Sequence, residues 1–113
     1  MNRSQPEKWK ALLGLGFRGS MVISGTEAVW AALVKKRVWL LILAKDAAER
    51  TKLDFQQQCA QVGVPWIELS AKEVLGYCTG QSPRAVLAVT DKQMARAILK
   101  VVPPENDSDL ADS

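Results

Sequence analysis

Residues able to do chemistry are few in this chain, and their spacing says more than their number. Histidine is absent from all 113 residues, which removes the commonest general base, the commonest metal ligand and every histidine-dependent triad. Cys59 and Cys78 fall on different expected elements without short metal-ligand spacing. Neither a disulfide framework nor a zinc site is expected, and both read as small buried or half-buried side chains. No phosphate loop of the Gly-x-x-x-x-Gly-Lys type and no nucleophile arrangement is present. Asp46 at a strand exit and Asp91 before a helix are explained as caps or helix-start charges. The reading is a noncatalytic protein with no catalytic residue, no cofactor and no metal.

One spacing does recur. A Ser, Thr or Asp is followed three residues later by Glu or Gln at Ser4–Glu7, Ser24–Glu27, Asp46–Glu49, Ser70–Glu73 and Thr90–Gln93. That is the capping box, in which the first side chain accepts from a free helical N–H and the second reaches back to the cap's own N–H. Five boxes predict five helix starts. At Ser24-Gly25-Thr26-Glu27 the free N–H groups and positive dipole end can also receive an anion, and Gly25 allows close backbone approach. Glu27 either completes the cap or marks that anion site.

The elements that must position these residues follow from periodicity. A first helix is expected from about Pro6 to Leu15, with Trp9, Leu12, Leu13 and Leu15 as its stripe. Gly14, Gly16 and Gly19 should break it, with Phe17-Arg18-Gly19-Ser20 as a turn into a short strand at Met21–Ile23. The second helix runs from Ser24 to about Val34 and ends in Lys35-Lys36-Arg37, cations that suit its negative end or make a nonspecific backbone contact. Val38–Ala44 and Arg84–Val89 are apolar on both faces and read as central strands. Between them lie a helix from Asp46 to Gly63, a shorter strand at Val64–Leu69, a brief helix from Ser70 to Gly76, and an irregular loop through Pro83. Thr90-Asp91 starts a last helix with Met94, Ala97, Ile98 and Val101 on one side, stopped by Pro103-Pro104. Helix and strand in alternation predict an α/β fold, a three-layer α/β/α sandwich over a small mixed four-stranded sheet.

Length and charge agree. A chain of this size with 48% apolar residues makes one domain, read as residues 1–101 followed by an acidic, disordered tail at 102–113. No stretch is apolar enough for a membrane span or a signal peptide, so a cytoplasmic location is expected, with no membrane partner. All 15 basic residues but only 8 of the 12 acidic ones precede the tail. A basic body favours an anionic partner, nucleic acid first among them, although solubility alone also accounts for such a bias.

The residues carry a further likeness. Leu13-Gly14-Leu15, Arg18, Val22-Ile23-Ser24-Gly25, Leu41–Asp46, Val64-Pro65, Leu75-Gly76, Gly80 and Arg84–Asp91 follow an order and spacing that resemble the kink-turn RNA-binding ribosomal proteins, the L-seven-Ae and L-thirty-e superfamily, and within it the small bacterial YlxQ branch. The resemblance spans about Leu12 to Leu99. It implies an RNA site built from the second helix's N-terminus, the loop after the central strand and the loop before the last strand. On this chain that means Ser24, Gly25, Thr26, Glu27 and Trp30, then Lys45, then Gly80, Gln81, Ser82, Pro83 and Arg84, with Arg18 joining the same rim. Glu27, Ala28 and Ala31 stand where the family has base-contacting, polar and lysine residues, and Met21 where a lysine is frequent, so the kink-turn signature is partly lost.

Two functions are thereby open. The first is recognition of structured RNA, ribosomal or regulatory, with ribosomal or other proteins as further partners and no DNA. The second is a protein-interaction module on the same fold, using an apolar patch around Trp30. Trp30 itself either stacks on a base or packs against apolar neighbours. Arg18, Lys45 and Arg84 are either phosphate grips or solvated charges.

Overall fold

Two strands, β2 (Leu40–Leu43) and β4 (Val86–Val89), are buried at every position. Their side chains alternate between two separate cores, as a pleated strand requires. Leu40, Ile42, Leu87 and Val89 enter one core, while Leu41, Leu43, Val86 and Ala88 enter the other. A pair of strands that is apolar on both faces must be covered on both, so the sandwich follows from these eight residues.

In the computed structural model, which describes residues 8–102, the order is α1 (Lys8–Arg18), β1 (Val22–Ser24), α2 (Thr26–Val34), β2, α3 (Glu49–Val62), β3 (Trp66–Glu68), α4 (Lys72–Cys78), β4 and α5 (Lys92–Val101). The sheet order is β1-β4-β2-β3, antiparallel except for the parallel β2–β3 pair. Trp9, Leu13, Leu75, Met94 and Ile98 bring α1, α4 and α5 onto one face, and Val29, Leu33, Phe55 and Cys59 bring α2 and α3 onto the other. The expected fold class is therefore observed. Pro65 sits just before the edge strand β3, where its carbonyl accepts from the Leu41 N–H and its missing donor leaves no gap in the ladder. The first box at Ser4, the double-proline stop and the acidic tail lie outside the described residues.

The helix starts stand close to where the boxes place them, but the boxes do not form. Each cap position falls one or two residues late, at Gly25, Ala48, Ala71 and Asp91, and only Asp91 accepts from a helical N–H, that of Met94 at 2.9 Å. Sheet pairing takes the competing groups. Gly25 N–H extends the ladder to the Val86 carbonyl, and Thr90 N–H donates to Met21. Asp46 does not cap its own helix: its Oδ1 accepts from the Lys72 N–H at 2.8 Å, at the first residue of α4, 26 residues away.

Glycines also differ from expectation. Gly14 and Gly16 lie inside α1 and are buried, and the chain turns only at Gly19-Ser20, so Phe17 and Arg18 are helical. They permit close packing rather than a break: a Cβ on Gly14 would meet the Cys78 carbonyl at 3.0 Å, and one on Gly16 the Val22 methyl at 2.7 Å. Leu15, on the other side of the helix, is exposed. Gly76 is the tightest case, since a Cβ there would overlap the Ser82 backbone. Cys59 is buried and Cys78 half-buried, as expected, and neither is in a disulfide.

Two predictions follow from this packing. Gly76→Ala should lower stability by about 1–3 kcal/mol, because backbone at Ser82 must move, and urea denaturation measures the loss. Burial pushes the Cys59 thiol up from 9.0 to about 11, so the folded state holds a proton there that the unfolded state releases. Stability from this group is complete below pH 9 and falls between pH 9 and 11. Alkylation by iodoacetamide at pH 8 should modify Cys78 and leave Cys59 intact until the protein is unfolded.

Candidate nucleic-acid interface

Strand register decides which loops meet. Ser24 pairs with Leu87, Leu43 with Val86, and the Ala44 N–H donates to the Ala85 carbonyl at 2.8 Å. The exits of β1, β2 and β3 and the entry to β4 therefore share one end of the sheet, here called the mouth pole. Ser24, Gly25 and Thr26, then Lys45, then Gln81 to Arg84 converge there from three separate parts of the chain.

At the centre of the mouth pole is Arg84. Its Nε donates to Ser24 Oγ at 3.3 Å, its Nη1 to Ser82 Oγ at 2.8 Å and to the Pro83 carbonyl at 3.4 Å, and its Nη2 to Gln81 Oε1 at 2.7 Å. The guanidinium thus ties the end of β1 to the 79–83 loop, and most of its donors are engaged within the protein. Sequence reasoning left Arg84 as either a phosphate grip or a solvated charge; in the structure it is half-buried and its hydrogen bonds shape the loop. Gly80, at φ 68°, completes that loop, with Gln81 N–H folded back to the Gly76 carbonyl at 2.7 Å. Thr79 is buried, its hydroxyl donating to the Leu75 and Gly76 carbonyls, so the loop's outward surface begins at Gly80.

Beside this cluster opens the N-terminus of α2. Gly25 has φ 98° and ψ 146°, a conformation essentially reserved for glycine. With no side-chain cap and with the first intrahelical bond running from Val29 N–H to the Gly25 carbonyl, the N–H groups of Thr26, Glu27 and Ala28 face outward at the positive dipole end. Glu27 is exposed in the same turn, where its charge opposes an anionic ligand at that mouth. Lys45 stands across the pole on the β2–α3 loop, which is held by Lys45 N–H to Ser70 at 2.7 Å and by Lys52 Nζ to the Lys45 carbonyl at 2.7 Å. Lys52 also pairs with Glu68 at 3.6 Å. The roles of Lys52 and Asp46 in this pole were not read from sequence, because neither partner lies at a helical or turn spacing.

Trp30, one turn into α2, meets Phe55 of α3 edge to face, with ring centroids 5.2 Å apart and planes at 82°. It remains 38% exposed and lines a groove of about 510 Å³ with Thr26, Glu27, Ala31 and Asp54. The indole is thus both packed and accessible, contiguous with the α2 mouth. Arg18 is not part of the cluster. The last turn of α1 leads into the opposite end of β1, and Arg18 lines a separate groove between α1 and α4, next to the exposed Tyr77. Among the described residues, no group of three or more His, Cys, Asp or Glu side chains is placed to hold a metal ion, and no helix is long and apolar enough to cross a membrane.

The family described as ribosomal protein L7Ae/L30e/S12e/Gadd45 matches residues 7–99. The chain belongs to that family. Two curated relatives named RNA-binding protein YlxQ place it in the YlxQ-like branch. That of Bacillus subtilis is 32% identical over 95 residues, covering 84% of this chain and 95% of the relative. That of Enterococcus faecium is 26% identical over 102 residues, covering 90% and 98%. Among solved structures, a protein of unknown function from Bacillus halodurans superposes with a TM-score of 0.79 at 31% identity, covering 83% of this chain and 95% of its own. The 15.5kD RNA binding protein of Giardia lamblia shares the fold, with a TM-score of 0.73 at 19% identity and coverage of 96% and 92%.

Removing the Arg84 fork should release the loop without unfolding the sheet. In Arg84→Ala, hydrogen exchange at residues 80–82 is expected to rise to open-loop rates while Val86–Val89 stay protected, with a stability loss of about 1–3 kcal/mol.

Proposed function

We propose that this protein is a noncatalytic RNA-binding protein that holds a structured, bent or looped RNA at the mouth pole. The observation that carries the reading is the convergence of three segments on one pole: the uncapped α2 N-terminus at Gly25-Thr26, the Lys45 loop, and the 80–83 loop shaped by Arg84. Backbone N–H groups and a lysine there suit phosphate, and an ordered loop with few base-reading side chains suits RNA shape. The family and the names of the YlxQ relatives support RNA as the ligand class. A ribosomal or translation-related RNA in the cytoplasm fits the same reading. With Glu27, Ala28 and Ala31 at the α2 mouth, a standard kink-turn is bound more weakly than by proteins that keep polar and cationic groups there.

The groove beside Trp30 favours a second reading on the same fold, in which its apolar wall takes a protein partner. Phe55 and Ala31 beside the half-exposed indole motivate it.

Binding to a panel of a kink-turn, an internal-loop hairpin and a plain duplex, followed by fluorescence anisotropy over a salt series, separates the two. Lys45→Ala and Thr26→Asp are each expected to weaken binding of the structured members by about tenfold, within the about 1–3 kcal/mol typical of one phosphate contact, and Glu27→Gln to strengthen it. Undetectable or salt-independent affinity across the panel overturns the RNA reading. Partners that survive nuclease treatment and are lost in Trp30→Ala would establish the second.

A further inference from the structure

The acidic residues of the described domain are sorted along the strand axis, whereas its cations occur at both ends, with Lys45, Arg50, Lys52, Lys72 and Arg84 among the acids. Glu27, Glu49 and Glu73 occupy the first turns of α2, α3 and α4, and Asp46 and Glu68 the exits of β2 and β3, all toward the mouth pole. Asp54 is paired with Arg50 within α3 at 3.3 Å. Among the described acidic residues only Asp91 remains at the opposite end, and its carboxylate caps α5. That opposite end carries Lys35, Lys36 and Arg37, all exposed on the α2–β2 turn, and Lys92 on the β4–α5 junction. The Trp39 N–H bond to the Val89 carbonyl at 2.8 Å brings the two connections together. Between them lies Trp39, 49% exposed, with Lys92 Nζ 5.4 Å from the centre of its ring.

Helix dipoles account for only part of this. Lys35 to Arg37 follow the C-terminus of α2, where cations are favoured, but Lys92 opens α5 at an N-terminus, where they are disfavoured. Exposed Arg96 and Lys100 extend the row from Lys92 at four-residue spacing, so neighbouring like charges repel along one helix face. Local folding energetics oppose such an arrangement.

We propose that the basic end around Trp39 is a second, sequence-independent RNA-backbone contact, so that one molecule engages two RNA segments at opposite ends of its sheet. This rests on RNA being the ligand of the mouth pole. Cations beside a single acid, Asp91, whose carboxylate is engaged as the α5 cap, neutralise phosphates, and the exposed indole provides a surface on which an unpaired base stacks. The two ends are separated by the length of α2, nine residues or about 13 Å of helix, plus the flanking turns. A folded RNA reaches both by presenting two segments.

The test compares the full-length protein, a Lys35→Gln/Arg37→Gln/Lys92→Gln variant and Thr26→Asp, using a uridine homopolymer and a kink-turn hairpin as probes over a salt series. Circular dichroism checks that each variant is folded; Lys36 is left unchanged because its φ of 58° sets the turn. The triple variant is expected to lose about tenfold or more in affinity for both probes, with the slope of log K against log salt reduced by about 2, as for loss of two to three phosphate contacts. Thr26→Asp should weaken the hairpin and leave the homopolymer unaffected. An unchanged slope in the triple variant, with the hairpin weakened by Thr26→Asp, overturns the second contact and leaves the mouth-pole reading standing. Failure of the unmodified protein to bind either probe overturns both.

Discussion

The antiparallel pairing of β2 with β4 is the constraint on which everything else hangs. Eight consecutive-by-strand positions are buried on both faces, so each face needs its own helical layer, and this pair forms the middle of the sheet that divides the two cores. The same pairing sets direction. With Leu43 opposite Val86 and Ser24 opposite Leu87, every strand exit that leads into a helix start at α2, α3 or α4 lies at one end, beside the entry to β4. A mouth pole made of helix N-termini and loops is a consequence of register, not of any one functional residue.

Once the pole exists, its shape depends on a few polar links between segments distant in sequence. Arg84 reaches Ser24 60 positions away, and Asp46 reaches Lys72 26 positions away. Both use a side chain of one loop to satisfy a group in another, which orders the loops without burying an uncompensated charge. Gly76 allows the 79–83 loop to fold against α4 closely enough for the Arg84 fork to close. The cost of this arrangement is that Arg84 is less available to an outside phosphate than an exposed arginine would be, leaving the α2 N–H groups as the outward-facing donors.

Much of the architecture was legible in the chain. The runs at Leu40–Leu43 and Val86–Val89 announced central strands, Gly63 announced the end of α3, where it has φ 73°, and the box spacings placed four helix starts within a few residues. The boxes were nevertheless wrong in mechanism. Ser24, Asp46 and Thr90 each have a partner from another segment that competes with the local N–H, and only Asp91 caps its own helix. Gly14 and Gly16 misled for a related reason: local propensity reads a buried glycine as a breaker, whereas a neighbouring strand or helix requires its missing side chain.

The sequence by itself determined the element types, the two-sided burial of the central strands, the absence of histidine chemistry and the family likeness, because each is a property of composition or of spacing within one segment. Only the tertiary structure decided that Arg84 organises the mouth while Arg18 lies in another groove, that Trp30 is at once packed on Phe55 and exposed, and that the described acids, Asp91 apart, gather at one end of the sheet while Lys35, Lys36, Arg37 and Lys92 lie at the other. Those facts depend on register and on contacts between residues tens of positions apart. Local periodicity carries no information about which distant side chain will arrive to satisfy a given hydrogen bond or to balance a given charge.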